Sequence, residues 1–408
     1  MNNKKYNDKS WVSEKLEVRS SGIHGNGVFT KEKISKGEVV IIWGGEVVTS
    51  NDFLKGNGQK HTNVGIGENL FLVTPNTEEK SVDDFMNHNC NANLWLDDEV
   101  TLSARRDIEA GEELFFDYSI ELVDEDYVMK NPCYCNAGNC RKSITGKDWK
   151  LKEVQDLYKN HFSPFINDRI KKQNQMNILI TGGSRGIGKA IAKELNSYGH
   201  NLLLVARSSS NLDKAKSELM ESNKNIDSYV CEVGTEEEID KLVSYCNQKN
   251  FKPNVLVLSA GIFIEGSLTN STAKDFYETM NVDLYHIYHT VKKFIPILRK
   301  QENAKIIIIG STASLEAYPV GALYGVAKWG LKGYAINLRK ELMNENIGVT
   351  LINPGGTLTD LWEGEELAPN RLLEPSDIGK LISVILTLSP QAVVEELIVR
   401  PMLGDFHE

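Results

Sequence analysis

The sequence predicts a chain of two domains, a mostly-β amino-terminal domain followed by an α/β domain built on a doubly wound parallel sheet. The length of 408 residues fits two or three domains. Short β-rich stretches such as residues 39–43 and 70–73, broken by glycine and asparagine, fill the first part. After residue 176, strand-like runs alternate with long amphipathic helices, as expected for a parallel sheet covered on both faces.

Composition excludes several classes of protein. A net charge of −10 argues against a protein that binds the nucleic-acid backbone, because that class relies on clustered lysine and arginine. Aliphatic runs such as Ile306–Ile309 are only four or five residues long, whereas a membrane-spanning helix needs about 20 apolar residues. No apolar segment follows the first basic residues. We therefore expect a cytoplasmic protein with no membrane segment and no direct nucleic-acid binding.

Four motifs follow one another in the amino-terminal domain. They are GIHGNGVF (22–29), FMNHNC (85–90), GEELFFDY (111–118) and CYCNAGNC (133–140). In this order they make residues 14–150 resemble the SET-domain protein lysine methyltransferases. The family more often has serine and proline where this chain has Asn89 and Ala92. The resemblance implies small curled sheets with a pseudoknot-like threading, S-adenosylmethionine as methyl donor and a lysine-bearing protein as acceptor.

The resemblance also assigns roles to residues of the SET domain, predicted over residues 14–120. Tyr118 matches the catalytic tyrosine, and Phe116 matches the position that tunes how many methyl groups fit. A phenylalanine there favours di- or trimethylation, because it brings no hydroxyl to hold water. The expected donor-binding residues are His24, Gly25, Asn26, Gly27, Asn87 and His88.

The chemistry explains these residue types. A lysine amine with a pKa of about 10.4 is almost entirely charged at neutral pH, so a dry channel must disfavour the ammonium form before the amine can attack a methyl group. We expect the Tyr118 hydroxyl to orient the amine rather than to abstract a proton.

The cysteines that follow Tyr118 in the sequence suggest a metal site. Cys133, Cys135 and Cys140 lie too close in sequence to complete a tetrahedral site without a fourth thiolate. In the resemblance, Cys90 joins them and the four cysteines hold one zinc ion. The zinc would fold the tail, residues 121–150, over the active site. Residues 151–175, helical and then basic and polar, are predicted to be a linker to the second domain, residues 176–408.

The second domain opens with an apolar strand, the loop TGGSRGIG (181–188) and a helix. This context is typical of a loop that holds a dinucleotide pyrophosphate at a helix amino terminus. About 20 residues on, Arg207 and Ser208 stand where an acid would bind a free ribose hydroxyl, so the pattern favours NADP.

Downstream, Tyr324 and Lys328 lie four residues apart, on one face of a helix. With Ser311 and Asn281 they make residues 176–402 resemble the short-chain dehydrogenase/reductases, which have a Rossmann fold. The resemblance makes Tyr324 the acid or base, Lys328 its electrostatic partner, Ser311 the carbonyl orienter and Asn281 the holder of a relay water. The expected cofactor-binding residues are Gly182, Ser184, Arg185, Gly186, Ile187, Gly188, Arg207, Ser208, Glu232, Ala260, Gly261, Pro354, Gly355 and Thr359.

The chain departs from the commonest reductase pattern at Leu258-Ser259, Glu232, Gly310 and Ala327, none of them among the four reactive residues. Residues 360–367 are expected to form a substrate lid. Cys231 and Cys246 are expected to be packing residues.

The leading hypothesis is therefore a two-headed enzyme, a protein-lysine N-methyltransferase fused to an NADP(H)-dependent reductase of a small carbonyl or alcohol. One alternative is a reductase carrying a non-catalytic SET-like docking module. Another is a methyltransferase whose second domain is a nucleotide-gated scaffold. Reductases of this kind often pair through their long helices, so a homodimer or tetramer is expected.

Overall fold

The computed structural model describes residues 6–59, 62–221, 225–362, 364, 366, 368 and 370–405. The chain divides into two compact units, residues 1–174 and 175–408. No described helix combines the length and the apolar character that crossing a membrane requires.

Short strands dominate the first unit, since glycine and asparagine turns interrupt its β-rich stretches. Its strands are β1 Trp11–Val12, β2 Leu16–Ser20, β3 Asn26–Thr30, β4 Val39–Ile42, β5 Glu46–Thr49, β6 Val64–Gly67, β7 Leu70–Val73, β8 Asn87–His88, β9 Leu94–Leu96, β10 Thr101–Ala104 and β11 Glu113–Phe116. They form sheets in the orders β1-β4-β10-β9, β2-β3-β11-β8 and β5-β7-β6. Its helices are α1 Ser50–Leu54, α2 Lys152–Leu157 and α3 Pro164–Gln173.

Residues 151–174 differ from the prediction of a linker. Tyr158, Phe162, Phe165 and Ile166 are buried in the core of the first unit. The Tyr158 hydroxyl accepts a hydrogen bond from the Ala92 backbone N–H at 3.1 Å. Because these side chains bury large apolar surfaces, the segment completes the first unit rather than separating two units.

The second unit is a seven-stranded sheet whose paired strands all run parallel, in the order β14-β13-β12-β15-β16-β17-β18. Its strands are β12 Asn177–Thr181, β13 Asn201–Ala206, β14 Ile226–Val230, β15 Val255–Leu258, β16 Lys305–Ile309, β17 Gly348–Pro354 and β18 Glu396–Val399. Its helices are α4 Gly186–Ser197, α5 Ser209–Met220, α6 Glu236–Gln248, α7 Ala273–Met280, α8 His286–Leu298, α9 Ala322–Leu342 and α10 Pro375–Thr387.

Two apolar clusters cover the opposite faces of this sheet. The central strands β15 and β16 are buried along their whole length, which explains why they are aliphatic apart from Lys305 at the start of β16. The strand order reverses between β12 and β15, and parallel sheets of this type open a crevice there at the carboxyl ends of the strands.

Candidate functional sites

The first site begins at the turn between β2 and β3, which Asn87 holds in place. Its side-chain amide donates to the carbonyl oxygens of His24 at 3.2 Å and Asn26 at 3.0 Å, and to Glu113 Oε1 at 2.9 Å. A Cβ on Gly27 would lie 2.1 Å from Glu113 Oε1, so any larger residue here would displace the Glu113 carboxylate. The turn predicted to meet the methyl donor is therefore anchored to Asn87 and Glu113.

A strand pairing explains how the second and third motifs meet. β11 lies between β3 and β8, and it runs parallel to β8 with Phe115 opposite Asn87 and Phe116 opposite His88. The Asn89 N–H donates to the Phe116 carbonyl at 3.2 Å. Residues about 30 positions apart in sequence thus become neighbours next to Tyr118.

Tyr118 follows this pairing directly, at the start of a short 3-10 turn. Its hydroxyl donates to the Met86 carbonyl at 2.9 Å, and its backbone N–H donates to His88 Nδ1 at 3.3 Å. Burial raises the pKa of Tyr118, and the nearby Tyr127 and Glu121 raise it further. The phenol therefore keeps its proton at neutral pH, which suits a residue that orients a substrate rather than one that removes a proton.

Phe116 is buried beside Tyr118. Its ring meets Trp43 edge-on, with centroids 5.3 Å apart, and lies 6.5 Å from the Tyr118 ring. Both rings that contact Phe116 are aromatic, so the surroundings of this side chain are largely apolar.

The four cysteines of the first unit converge. The sulfur atoms of Cys90, Cys133, Cys135 and Cys140 all lie within 4.8 Å of one another. A tetrahedral zinc with Zn–S bonds of about 2.3 Å places its sulfurs about 3.8 Å apart, and the Cys90 and Cys133 sulfurs are 4.0 Å apart. The donor set and its spacing fit zinc.

Arg141, directly after the last cysteine, links this cluster to Asp117, the residue before Tyr118. Its guanidinium donates two hydrogen bonds to Asp117, at 2.9 and 2.8 Å, and a third to Asp148 at 2.7 Å. Arg141 and Asp117 are both buried, so the pair is shielded from solvent. The sequence prediction did not assign Arg141, although its position next to Cys140 could have pointed to it.

The second site is a cleft of about 830 Å³ in the second unit. Its floor is the glycine loop before α4, where a Cβ on Gly188 would lie 2.2 Å from the Gly182 carbonyl oxygen. Gly182 itself has φ +70°, and a Cβ there would lie 2.9 Å from the Ala260 backbone. The loop therefore keeps a close backbone approach that larger residues would block. Predicted cofactor residues that line this cleft are Gly182, Ser184, Arg185, Gly186, Ile187, Gly188, Arg207, Ser208, Glu232, Ala260, Gly261 and Thr359.

Arg207 and Ser208 stand at the end of β13, on the rim of the cleft. Arg207 is exposed, and Ser208 caps α5 by accepting a hydrogen bond from the Asn211 N–H. Arg185 also lines the cleft, and its Nη1 atom lies 3.7 Å from Asp360 Oδ2. Two guanidinium groups thus border the cleft, where a ribose phosphate of NADP would carry negative charge.

Tyr324 and Lys328 face the same cleft from α9. The Lys328 ammonium lies 5.1 Å from the centroid of the Tyr324 ring, and Lys328 is buried. Ser311 follows β16 and lines an adjoining cavity of about 270 Å³, which Tyr324 also lines. Pro354 and Gly355 border the same cavity.

Asn281 does not join these three residues. It begins a π-helical turn over Asn281–Tyr285, where it is exposed and absent from the residues that line the cleft. Asp283, two residues later, lines the cleft instead, with its Oδ1 3.1 Å from Lys328 Nζ. The prediction for Asn281 therefore differs from the structure, because residues two apart in a helical turn point toward nearly opposite sides, and here Asp283 is the one that faces Lys328.

Each unit matches the model of a known family. A family model described as "SET domain" matches residues 25–119, and one described as "short chain dehydrogenase" matches residues 176–369. The chain joins a SET domain to a short-chain dehydrogenase domain. The two family resemblances are thereby confirmed, and so are the predicted SET fold of the first unit and Rossmann fold of the second. The zinc-binding tail stays a prediction.

Curated relatives match the dehydrogenase domain. A sepiapterin reductase of Chlorobaculum tepidum is 26% identical over 57% of this chain and 98% of its own length. An uncharacterized oxidoreductase of Staphylococcus epidermidis is 27% identical over 55% of this chain and 96% of its own length.

Solved structures also resemble the dehydrogenase domain. A metagenomic short-chain oxidoreductase in complex with NADP has a TM-score of 0.50 and 27% identity, covering 57% of this chain and 98% of that one. An alcohol dehydrogenase from Thermococcus sibiricus, complexed with 5-hydroxy-NADP, has a TM-score of 0.51 and 27% identity, covering 55% and 96%.

The adjoining cavity of the dehydrogenase domain has aromatic walls that the sequence prediction did not identify. Phe263, Tyr318 and Trp362 line it, and the Phe263 ring meets Tyr324 edge-on at 5.6 Å. The buried Asn353 accepts a hydrogen bond from the Ser311 N–H at 3.2 Å and so fixes the strand end that carries the serine. These residues are far apart in the sequence, so their spacing gives no sign that they share one cavity.

The predicted lid, residues 360–367, lies partly outside the described residues, since 363, 365 and 367 are not described. Its first residues form a 3-10 turn over Asp360–Trp362, and Leu361 lines both cavities. Cys231 and Cys246 are buried in an apolar cluster, as packing residues would be.

Proposed function

We propose that the chain is a two-headed enzyme. Its SET domain is an S-adenosylmethionine-dependent protein-lysine N-methyltransferase, and its dehydrogenase domain is an NADP(H)-dependent carbonyl reductase or alcohol dehydrogenase. Two arrangements support the proposal. Tyr118 is partly buried and donates to the carbonyl of Met86, the residue before the Asn87 that holds the turn at His24–Gly27. Tyr324, Lys328 and Ser311 meet at two adjoining cavities.

In the methyltransferase, S-adenosylmethionine supplies the methyl group. The turn at His24–Gly27, together with Asn87 and His88, would bind it. Tyr118 would orient the lysine nitrogen, and the apolar wall at Phe116 would exclude water, so that the neutral amine is favoured. Zinc held by the four cysteines would fix the tail that follows Tyr118 in sequence.

The methyltransferase proposal is tested with labelled S-adenosylmethionine and an extract of the source cell. The parent protein should label a protein band, and Tyr118→Phe should reduce labelling by at least about 100-fold. Tyr134→Phe, which changes an exposed tyrosine, is the control and should label like the parent. A parent protein that labels nothing would favour the alternative of a non-catalytic docking module.

The number of methyl groups transferred to the lysine is tested separately. The apolar neighbourhood of Phe116 supports di- or trimethylation. Mass spectrometry of the labelled acceptor should therefore show di- or trimethyl-lysine, and a product limited to monomethyl-lysine would contradict this part of the proposal.

In the reductase, NADPH supplies the hydride. The glycine loop and the guanidinium groups of Arg185 and Arg207 would bind it, Ser311 would hold the carbonyl oxygen, and Tyr324 would donate the proton. The aromatic walls of the adjoining cavity favour a small carbonyl compound with an apolar or planar body.

The reductase proposal is tested by NADPH consumption with a panel of ketones and aldehydes. Tyr324→Phe should lower the rate by about 100-fold to 10,000-fold while NADPH still binds. The control Tyr277→Phe alters a tyrosine that is 66% exposed and should be neutral. NADPH binding without turnover of any carbonyl would favour the alternative of a nucleotide-gated scaffold.

The dehydrogenase domain should also self-associate. The α8/α9 face, defined here as Tyr285, Tyr288, Val326, Trp329 and Ile336, exposes 39–54% of each of these side chains. Such an apolar helical face is self-complementary in a twofold dimer, and we infer that a second copy of this chain covers it.

A further inference from the structure

Lys328 is paired with a carboxylate in the interior of the dehydrogenase domain. Asp283 Oδ1 lies 3.1 Å from Lys328 Nζ, and their side chains are 0% and 4% exposed. The other carboxylate oxygen, Oδ2, accepts a hydrogen bond from the Ile262 N–H at 3.4 Å. Lys328 also donates to the Ile309 carbonyl at 3.5 Å. Asp283 is therefore held in place on both sides.

The other ionisable groups around this pair are few. Tyr324 lies one helical turn before Lys328 on α9. The ring centroids of Tyr318 and Tyr324 are 6.2 Å apart. His286, in the first turn of α8, is buried, and this burial lowers its pKa to about 4. His286 is then uncharged at neutral pH, which leaves Asp283 as the charged partner of Lys328. Burial raises the pKa of the Asp283 carboxyl, and the adjacent Lys328 ammonium opposes that rise.

A carboxylate next to Lys328 changes how strongly the Lys328 ammonium stabilises the phenolate form of Tyr324. An unpaired ammonium group stabilises the phenolate of a neighbouring tyrosine, because opposite charges attract strongly in a poorly solvated site. An anion 3.1 Å from the ammonium cancels most of that field at the phenol. The pair thus behaves as a nearly neutral dipole, whereas an amide in the same place would leave the positive charge intact.

We propose that Asp283 is a positioning residue that neutralises Lys328, keeps the proton on Tyr324 and biases the site toward carbonyl reduction over alcohol oxidation. The inference rests on the proposed reductase function. In reduction, NADPH is oxidised and its hydride bonds to the carbonyl carbon. The Tyr324 O–H bond breaks, the proton passes to the carbonyl oxygen, and the tyrosine regains a proton from solvent. Oxidation needs the phenolate at the start, so it should require a higher pH.

The test compares Asp283→Asn with the parent protein in both directions of the reaction. Removing the negative charge should shift the pH midpoint of alcohol oxidation down by about one pH unit or more. Reduction at high pH should fall correspondingly, while NADPH binding measured by fluorescence stays the same. A midpoint that does not move would overturn the proposal. Glu265→Gln removes an exposed carboxylate of the same domain and should leave both profiles unchanged.

A second readout does not depend on turnover. The ultraviolet absorbance of tyrosinate is recorded against pH, and the trace of the matching Tyr324→Phe variant is subtracted. The Tyr324 signal should appear at lower pH in Asp283→Asn than in the parent. Identical traces would overturn the inference even if the protein reduces carbonyls.

The shift in tyrosinate absorbance would support the inference even if no carbonyl in the panel is reduced. A lack of carbonyl reduction would count against the proposed reductase function alone. Asp283→Ser, neutral and smaller, replaces Asp283→Asn if the latter does not fold, with the same expected shift. Asp283→Glu keeps the charge and should keep the parent profile.

Discussion

Glu121 is a buried acid whose titration should govern the stability of the SET domain. Burial raises its pKa to about 7, although Oε2 accepts a hydrogen bond from the Gly65 N–H at 2.5 Å. The folded protein therefore holds this proton at a pH where the unfolded chain, with a pKa near 4.5, has lost it. Stability should fall as pH rises from about 4.5 to 7, by on the order of 3 kcal/mol.

Glu121→Gln checks this expectation, because the amide oxygen can accept the same hydrogen bond and does not titrate. Chemical denaturation of the parent and the variant at pH 5 and pH 8 should show a smaller loss of stability in the variant. Equal losses would show that Glu121 does not titrate in this range.

Two glycines of the dehydrogenase domain should respond oppositely to alanine. A Cβ on Gly188 would lie 2.2 Å from a backbone oxygen, so Gly188→Ala should cost about 1–3 kcal/mol of stability and weaken NADPH binding at least about tenfold. A Cβ on Gly333, in α9, meets nothing within 4 Å of its own chain, so Gly333→Ala should add about 0.5–1 kcal/mol. Because Gly333 lies between Trp329 and Ile336 on the α8/α9 face, the change is made in a protein that also carries Trp329→Glu and Ile336→Lys, which keep a second copy off that face. Thermal unfolding and NADPH titration of both variants measure these effects.

At the scale of elements, the cysteine-rich tail should depend on zinc. The protein should contain one zinc per chain, and a chelator should lower the unfolding temperature of the SET domain and abolish methyl transfer. Cys140→Ser should mimic the chelator. NADPH turnover in the dehydrogenase domain serves as the internal control, since its two cysteines are buried in an apolar cluster. Full methyl transfer without bound metal would contradict this prediction.

The helix pair α8 and α9 should decide the oligomeric state. Trp329 and Ile336 are 52% and 54% exposed, and they lie seven residues apart on one side of α9. Trp329→Glu combined with Ile336→Lys should convert the dimer or tetramer into a monomer, because charges would be buried in the contact. Sedimentation velocity measures the mass, and an exposed Leu54→Glu change in the SET domain is the control. A parent protein that is already monomeric would contradict this expectation.

At the scale of the whole molecule, each unit has its own apolar core. The fragments 1–174 and 175–408 should therefore each unfold cooperatively. A fragment 1–150 should not, since it loses the buried side chains of Tyr158, Phe162 and Ile166, each worth about 1.5–3 kcal/mol. Circular dichroism during heating distinguishes the two amino-terminal fragments. A cooperative transition in 1–150 would show that the segment after it is dispensable.

The sequence by itself determined the two families, the alternation of strands and helices, and the residue types of both sites. These features are local, because a glycine loop before a helix or a tyrosine four residues before a lysine is visible within one short stretch. The cysteine quartet could also be proposed, since thiolates have few roles that need four of them.

Only the tertiary structure decided which acid faces Lys328 and where the first unit ends. Asn281 and Asp283 are only two residues apart in sequence, but a helical turn points them toward nearly opposite sides and buries only the carboxylate. Likewise, the polar residues of 151–174 suggested a linker, whereas a few apolar side chains among them fill a core formed by distant strands. Burial depends on contacts between residues far apart in the chain, and spacing along the sequence does not record those contacts.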